Sequence, residues 1–147
     1  MTRPLSGIRV LELGNLLAGP FCGMLLGDMG ADVIKIEPRR TGDMIRNTQP
    51  HLNGESANYI AINRNKRSIA IDLKQAAGRD IVLKLAETAD LVLENFRPGG
   101  MEQLGLGIDG IFSRFEQRLP QVTALIERVG ADPARLEEQA QSAAVTV

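Results

Sequence analysis

Gly30-Ala31-Asp32-Val33-Ile34-Lys35-Ile36-Glu37-Pro38-Arg39-Arg40-Thr41-Gly42-Asp43 is the stretch on which the reading of this chain turns. Its apolar positions Val33, Ile34 and Ile36 are β-branched; a glycine precedes the run, and Pro38, two arginines and a Gly-Asp turn follow it. That is the pattern of a buried strand entered from one turn and left through another. Ligands of open α/β sheets collect outside the carboxyl ends of the strands, so Arg39 and Arg40 stand where an anion would be met. A solvated basic turn after a core strand accounts for the same residues.

Outward from this stretch the chain repeats the pattern. Ile8-Arg9-Val10-Leu11-Glu12-Leu13 alternates apolar and polar residues before Gly14 and predicts a first strand over 8–13. Pro20 sits in the first turn of a helix predicted over 18–29, where a missing N–H costs nothing. Gly19, Gly23 and Gly27 recur every four residues along it and share one face. Each costs about 1 kcal/mol relative to alanine in a helix interior, so the glycine face predicts close approach of a backbone or a ligand. Phe21, Met24, Leu25 and Met29 are expected to supply ordinary burial, and Cys22 to be a small buried residue.

Residues 44–64 read as polar and irregular, with the lone His51 on a surface loop and no ligand-spaced partner for a metal. Arg67-Ser68-Ile69-Ala70-Ile71-Asp72-Leu73-Lys74 alternates again and predicts a strand near 68–72. Gly78 to Thr88 predicts a helix with an Ile81, Val82, Leu85, Ala86 stripe. Asp90-Leu91-Val92-Leu93-Glu94-Asn95 predicts a last strand near 90–94, ending in Phe96-Arg97-Pro98-Gly99-Gly100. Strand–helix alternation of this kind makes the fold class α/β, a Rossmann-like, mostly parallel sheet with flanking helices and right-handed crossovers.

Gly105-Leu106-Gly107-Ile108-Asp109-Gly110 has the G-x-G-x-x-G spacing of dinucleotide loops, but a strand must precede that motif and only a helical turn does here. Gly14 to Gly19 is no phosphate loop either, since Pro20-Phe21 stands where Lys-Ser/Thr is required. Beyond it, Val122, Leu125, Ile126 and Val129 follow helical spacing after Pro120, Gly130 stops them, and Asp132-Pro133 opens a further helix. The expected organisation is a Rossmann-type domain over 1–110 and a helical tail over 111–147.

Composition narrows the function. The 147 residues carry a formal charge of −1, which disfavours nucleic acid or an anionic membrane as partner. Aromatics at 3% leave little for stacking on single strands. One cysteine excludes an internal disulfide framework and suits a reducing compartment, and no apolar run is long enough for a leader or a span. The expectation is a cytoplasmic protein. With one histidine, no nucleophile triad or metal set stands out by spacing, so the residues alone read as an α/β domain with an anion-facing edge.

Seven ordered blocks carry a resemblance over residues 4–107: Pro4-Leu5-Ser6-Gly7-Ile8-Arg9-Val10-Leu11-Glu12, Ala18-Gly19-Pro20, Gly30 to Glu37, Gly42-Asp43, Asn65-Lys66-Arg67-Ser68-Ile69, Asp72-Leu73-Lys74 and Glu94-Asn95-Phe96-Arg97-Pro98-Gly99. Together they resemble the N-terminal part of the class III CoA-transferases, the family of formyl-CoA transferase, carnitine CoA-transferase and α-methylacyl-CoA racemase. The resemblance implies a domain that holds coenzyme A, with acyl-CoA and a small carboxylic acid as substrates and no metal. An aspartate nucleophile carries the acyl group through anhydride and thioester intermediates. By resemblance the positions contacting CoA are Ala18, Ile71, Asp72, Leu73, Lys74, Asn95, Phe96 and Arg97, and Arg39 joins them from its strand end. Pro38, Leu17 and Gln103 depart from the arginine, glutamine and arginine of formyl-CoA transferase.

After about Gly110 the family continues into a long middle section with the catalytic aspartate, whereas residues 122–147 resemble, more weakly, its extreme C-terminus. The chain thus reads as two ends of a transferase joined across an internal deletion. None of Asp32, Asp43, Asp72, Asp90 or Asp109 stands in the nucleophile's context, so no catalytic residue is assigned. The function implied is CoA transfer by a family member shortened in this way; the alternative is a non-catalytic remnant that binds CoA or a partner. Association as a homodimer or with a full-length relative stays open. A nucleotide-dependent dehydrogenase would rest only on fold class and the misplaced glycine motif.

Overall fold

The computed structural model describes residues 3–107 and 109–111. In chain order the elements are β1 (Arg9–Glu12), helix α1 (Ala18–Asp28), β2 (Asp32–Pro38), a 3-10 turn (Met44–Asn47), β3 (His51–Leu52), β4 (Glu55–Ser56), α2 (Ala57–Asn63), β5 (Lys66–Ile71), α3 (Ala76–Ala86), β6 (Leu91–Leu93) and α4 (Gly100–Gln103). Four of the strands make one sheet in the order β5-β2-β1-β6, every pairing parallel, while β3 and β4 form a separate antiparallel hairpin. The chain therefore starts in the middle, steps outward through β2 to β5, and returns to set β6 on the other side of β1. Strand order reverses between β1 and β6, the place where open α/β sheets leave a crevice at their carboxyl edge.

Alternation along the strands divides the sheet into two faces. Leu11, Leu13, Ile36 and Ile71 pack with Val82 and Ala86 of α3 and Met101 of α4. Val10 and Val33 face the other way, with Ala31 and the partly buried Leu26 of α1. The parallel α/β class and the helix and strand positions follow the sequence pattern; the ends differ by a residue or two, as fraying ends do.

Several expectations are corrected. Helix α1 buries its glycines, together with Pro20 and Met24, rather than its large apolar side chains. Phe21, Leu25 and Met29 are 48%, 44% and 42% exposed, and Cys22 is exposed too. Burying the glycine row toward the sheet turns those residues outward. Residues 44–64 are not irregular: they hold the 3-10 turn, the hairpin and α2, whose Ser56 side chain caps it by accepting from Tyr59 N–H at 3.3 Å. His51 sits exposed on β3 of that hairpin. In α3, Val82 and Ala86 are fully buried, but Ile81 is exposed. The glycine motif at 105–110 follows the short helix α4, in keeping with the helical turn the sequence predicts there. The helices expected from Pro120 and Pro133, and the tail beyond residue 111, lie outside the described residues. No described helix is long and apolar enough to cross a membrane.

The polar positions of the strands are buried as well. Glu12 and Lys35 are register partners on neighbouring strands, both fully buried, with Lys35 Nζ 2.8 Å from Glu12 Oε1. Lys35 also donates to Gly14 O at 2.9 Å and ion-pairs with Asp43 Oδ2 at 2.8 Å. Lys66 closes the group: it ion-pairs with Glu12 Oε2 at 2.8 Å and donates to Pro20 O at 2.7 Å and Asn63 Oδ1 at 2.9 Å. Two ammoniums balance two carboxylates, the condition under which buried charge is tolerated. Burial pushes the Lys66 ammonium down from its ordinary range, against the pull of Glu12.

This network explains the central glycine of the row. A Cβ on Gly23 would overlap Glu12 Oε2, and one on Gly27 would lie 3.2 Å from Asn65 O. At Gly23 the helix lies against pinned charges and only glycine leaves them room, whereas Gly19 and Gly27 face Asn95 and Asn65.

Candidate functional site

The carboxyl ends of all four parallel strands open into one cleft of about 450 Å³. Leu13, Ile36, Ile71, Phe96 and Leu104 give it an apolar lining, and Arg39, Arg40 and Lys74 bring positive charge. All three cations are exposed, and none makes an ion pair with a described residue. An apolar lining with unspent cations suits a ligand that joins a flat or aliphatic body to anionic groups.

Each loop around the cleft is held by identifiable bonds. After β5, the Asp72 carboxylate accepts from Lys74 N–H at 3.1 Å, closing a local turn. Arg79, one turn into α3, donates to Leu73 O at 3.2 Å and Lys74 O at 3.0 Å. Gly78 allows the contact, since a Cβ there would overlap the carbonyl of Asp72. After β6, Glu94 accepts from Phe96 N–H at 2.7 Å.

The loop after β2 is anchored from beneath. Glu37, buried, accepts from Arg46 at 2.7 and 2.8 Å, Ser68 at 2.6 Å, Tyr59 at 2.9 Å and Asp43 N–H at 2.8 Å. Burial pushes its carboxyl up, but these donors together outweigh burial and hold it at about 2. Burial and the facing carboxylate raise the Tyr59 hydroxyl above its ordinary range, and Glu37 raises the Arg46 guanidinium further against desolvation. Arg46 also stacks over the Tyr59 ring, 3.6 Å from its centroid.

The loop after β1 is the most constrained. Leu16 has φ 66°, a left-handed conformation that disfavours a branched side chain. Its N–H is shared between Asp43 Oδ1 at 2.9 Å and Asn15 Oδ1 at 3.0 Å. Asn15 Oδ1 also accepts from Met44 N–H at 3.1 Å, and Asp43 Oδ1 from Ile45 N–H at 3.0 Å.

Of the nine residues the sequence singles out, the structure brings six around this cleft: Arg39, Ile71, Asp72, Leu73, Lys74 and Phe96. Ala18, Asn95 and Arg97 do not line it. Ala18 opens α1 without a side-chain cap, Arg97 is exposed in the loop after β6, and the Asn95 carboxamide bonds the backbone of Asn15, its Oδ1 accepting and its Nδ2 donating. Sequence reasoning set Arg40 at the anion-facing strand end, where it does line the cleft, without naming it among the CoA contacts, and it missed Asn15, Asp43 and Arg79 as loop anchors. Arg79 follows Gly78 at the start of a helix, and the Gly42-Asp43 turn was visible; neither pattern names its partners. Among the described residues no group of three or more His, Cys, Asp or Glu could hold a metal ion.

Comparison with known proteins adds a family. The chain is 52% identical over 106 residues to succinyl-CoA–D-citramalate CoA-transferase of Chloroflexus aurantiacus, covering 71% of this chain and 26% of that protein. It is 46% identical over 110 residues to succinyl-CoA:glutarate CoA-transferase of Mus musculus, covering 74% and 25%. Among solved structures, a CAIB/BAIF family protein from Brucella suis superposes with a TM-score of 0.72 at 40% identity, covering 78% of this chain and 31% of that one. The chain thus spans about a quarter of the length of the curated relatives it matches. The family model for CoA-transferase family III matches residues 5–118, most of the chain, and the chain belongs to that family.

Proposed function

We propose that this chain supplies the coenzyme A cleft of a class III CoA-transferase, an enzyme that moves CoA between an acyl-CoA and a carboxylic acid. The observation that carries the reading is the cleft itself: four parallel strand ends, an apolar lining and the three cations Arg39, Arg40 and Lys74, none of them ion-paired among the described residues. CoA joins a flat adenine to several phosphate charges and an aliphatic arm, and the cleft offers a counterpart to each. Two relatives are named for succinyl-CoA as donor and for citramalate or glutarate as acid. We therefore take the acids to be short dicarboxylates.

The nucleophile is assigned to none of the chain's described aspartates. Asp43 spends one oxygen on two backbone amides and the other on Lys35, and Asp72 holds the turn to Lys74. Binding by this chain and turnover by it are separate matters, and we propose binding without turnover. A longer relative carrying the nucleophile would complete the catalytic site.

Calorimetric titration with CoA at low and high salt tests the reading. The expected Kd is on the order of 100 µM to millimolar at low salt, because each charge-assisted contact is worth about 1.5–3 kcal/mol while other parts of a full enzyme are not present to add theirs. Affinity should fall as salt rises, screening acting within about 10 Å at 0.1 M, and should fall again in Lys74→Ala and Arg39→Ala. CoA binding that ignores both substitutions, or none at millimolar CoA, sinks the proposal. Sustained exchange of CoA between acyl-CoA and free acid would overturn the claim of binding without turnover.

A further inference from the structure

The side chain of Asn95 turns one donor and one acceptor onto the chain's own backbone. Its Oδ1 accepts from Asn15 N–H at 2.8 Å and its Nδ2 donates to Asn15 O at 3.0 Å. One carboxamide thus satisfies the donor and the acceptor of a single residue, as a neighbouring strand would, just beyond the last paired residues of β1 and β6. The bond spans 80 positions in sequence and the reversal of strand order that opens the crevice.

Asn15 passes the constraint on. Its own Oδ1 accepts from Leu16 N–H at 3.0 Å and from Met44 N–H at 3.1 Å, and Asp43 Oδ1 meets the same Leu16 N–H at 2.9 Å. Asp43 is anchored in turn by Lys35 at 2.8 Å and by its own N–H on Glu37 at 2.8 Å. Three loops that line the cleft, after β1, β2 and β6, are stitched to one another by Asn95, Asn15 and Asp43. The stitch meets at Leu16, whose left-handed backbone persists only where its surroundings hold it. Gly19 leaves space for the clasp: a Cβ there would come within 3.0 Å of Asn95 Oδ1.

We propose that Asn95 and Asn15 are positioning residues, forming a clasp that pre-sets the loop after β1 against the loop after β2 and so shapes the cleft before any ligand arrives. This inference rests on the reading of the cleft as a CoA site for its ligand arm alone. Pre-ordering of this kind lowers the entropy that binding would otherwise have to remove. Asn95 acts on the ligand through Asn15, and its loss is felt at Met44, with which it shares no bond.

Amide hydrogen exchange on the ligand-free, full 147-residue chain, paired with CoA titration of the same samples, tests the clasp. In Asn95→Ala the Asn15 amide should exchange roughly tenfold faster, the scale of losing a pair of neutral hydrogen bonds. The Leu16 and Met44 amides should accelerate with it, while the urea midpoint stays near that of the parent. In Asn15→Ala the Leu16 and Met44 amides should accelerate alike. CoA affinity should drop several-fold in both variants. Should Asn95→Ala not fold, Asn95→Ser, which keeps one hydroxyl, provides the same readout. Weakened CoA binding with unchanged Met44 exchange would make Asn95 a direct contact and overturn the clasp, as would no change in either. If the parent chain fails to bind CoA, the cleft assignment falls, and the exchange result still decides the clasp by itself.

Discussion

Replacing Gly23 by alanine should destabilise the protein, although helix propensity alone predicts the opposite. In a helix interior the change gains about 1 kcal/mol. Against this, the new Cβ would overlap Glu12 Oε2 and lie 3.0 Å from Glu12 Cδ and 3.3 Å from Lys66 Nζ. The carboxylate cannot swing aside cheaply, because Lys35 and Lys66 each hold one of its oxygens at 2.8 Å in a fully buried site. If α1 lifts from the sheet, overpacking costs about 1–3 kcal/mol. If the carboxylate moves instead, the cost approaches the roughly 3–5 kcal/mol of breaking a buried pair. The cheaper route sets the cost, and the Cβ overlap with Glu12 Oε2 is deep enough to place it toward the upper end of the overpacking range, so less the propensity gain we expect a net loss of about 1–2 kcal/mol. Urea unfolding followed by circular dichroism reads this as a midpoint lowered by about 0.5–1 M, for a slope of about 2 kcal/mol/M. Gly27→Ala is the control: its Cβ would meet Asn65 at 3.2 and 3.4 Å, in a turn that can give by a few tenths of an ångström. That variant should stay within about 1 kcal/mol of the parent. A Gly23→Ala protein as stable as the parent, or more so, would refute the account of Gly23.

Acid should remove a defined part of the stability. Glu37 falls from 4.5 to about 2 on folding, so its contribution is complete above pH ~4.5 and is lost as pH falls from there toward ~2, amounting to about 3 kcal/mol. Unfolding free energies measured across that window should show a shallower acid limb in Glu37→Gln than in the parent, and identical limbs would contradict the assignment. Arg79→Ala frees the carbonyls of Leu73 and Lys74 and should cost about 1–2 kcal/mol. Calorimetry should also show weaker CoA binding in that variant, with Arg79→Lys recovering only part of it because one ammonium lacks the planar fork; a fully CoA-competent Arg79→Ala would show that the loop after β5 holds its shape unaided.

Much of the fold was legible because its signals are local. Val33, Ile34 and Ile36 between turn residues announce a strand, Gly19, Gly23 and Gly27 announce a close helix face, and strand–helix alternation announces a parallel sheet. The cations Arg39 and Lys74 were legible for the same reason: a charged residue just past an apolar strand falls at the sheet's carboxyl edge wherever that strand lies. What pattern could not report was which strands are neighbours. Once β1 pairs β2 in register, Glu12 stands beside Lys35 and the polar positions of two strands become a buried ion network instead of a solvent face. Burial of that network turns Phe21 and Leu25 of α1 outward, against their hydrophobicity. The clasp between Asn15 and Asn95 likewise exists only because the chain returns to place β6 beside β1. Sequence by itself determined the elements and the charges at their ends, since propensity and burial are properties of a few neighbouring residues. Tertiary structure decided the partners of Glu12, Asn15 and Asp43, because a hydrogen bond or ion pair is made by residues that strand order brings within a few ångströms, however far apart they lie along the chain.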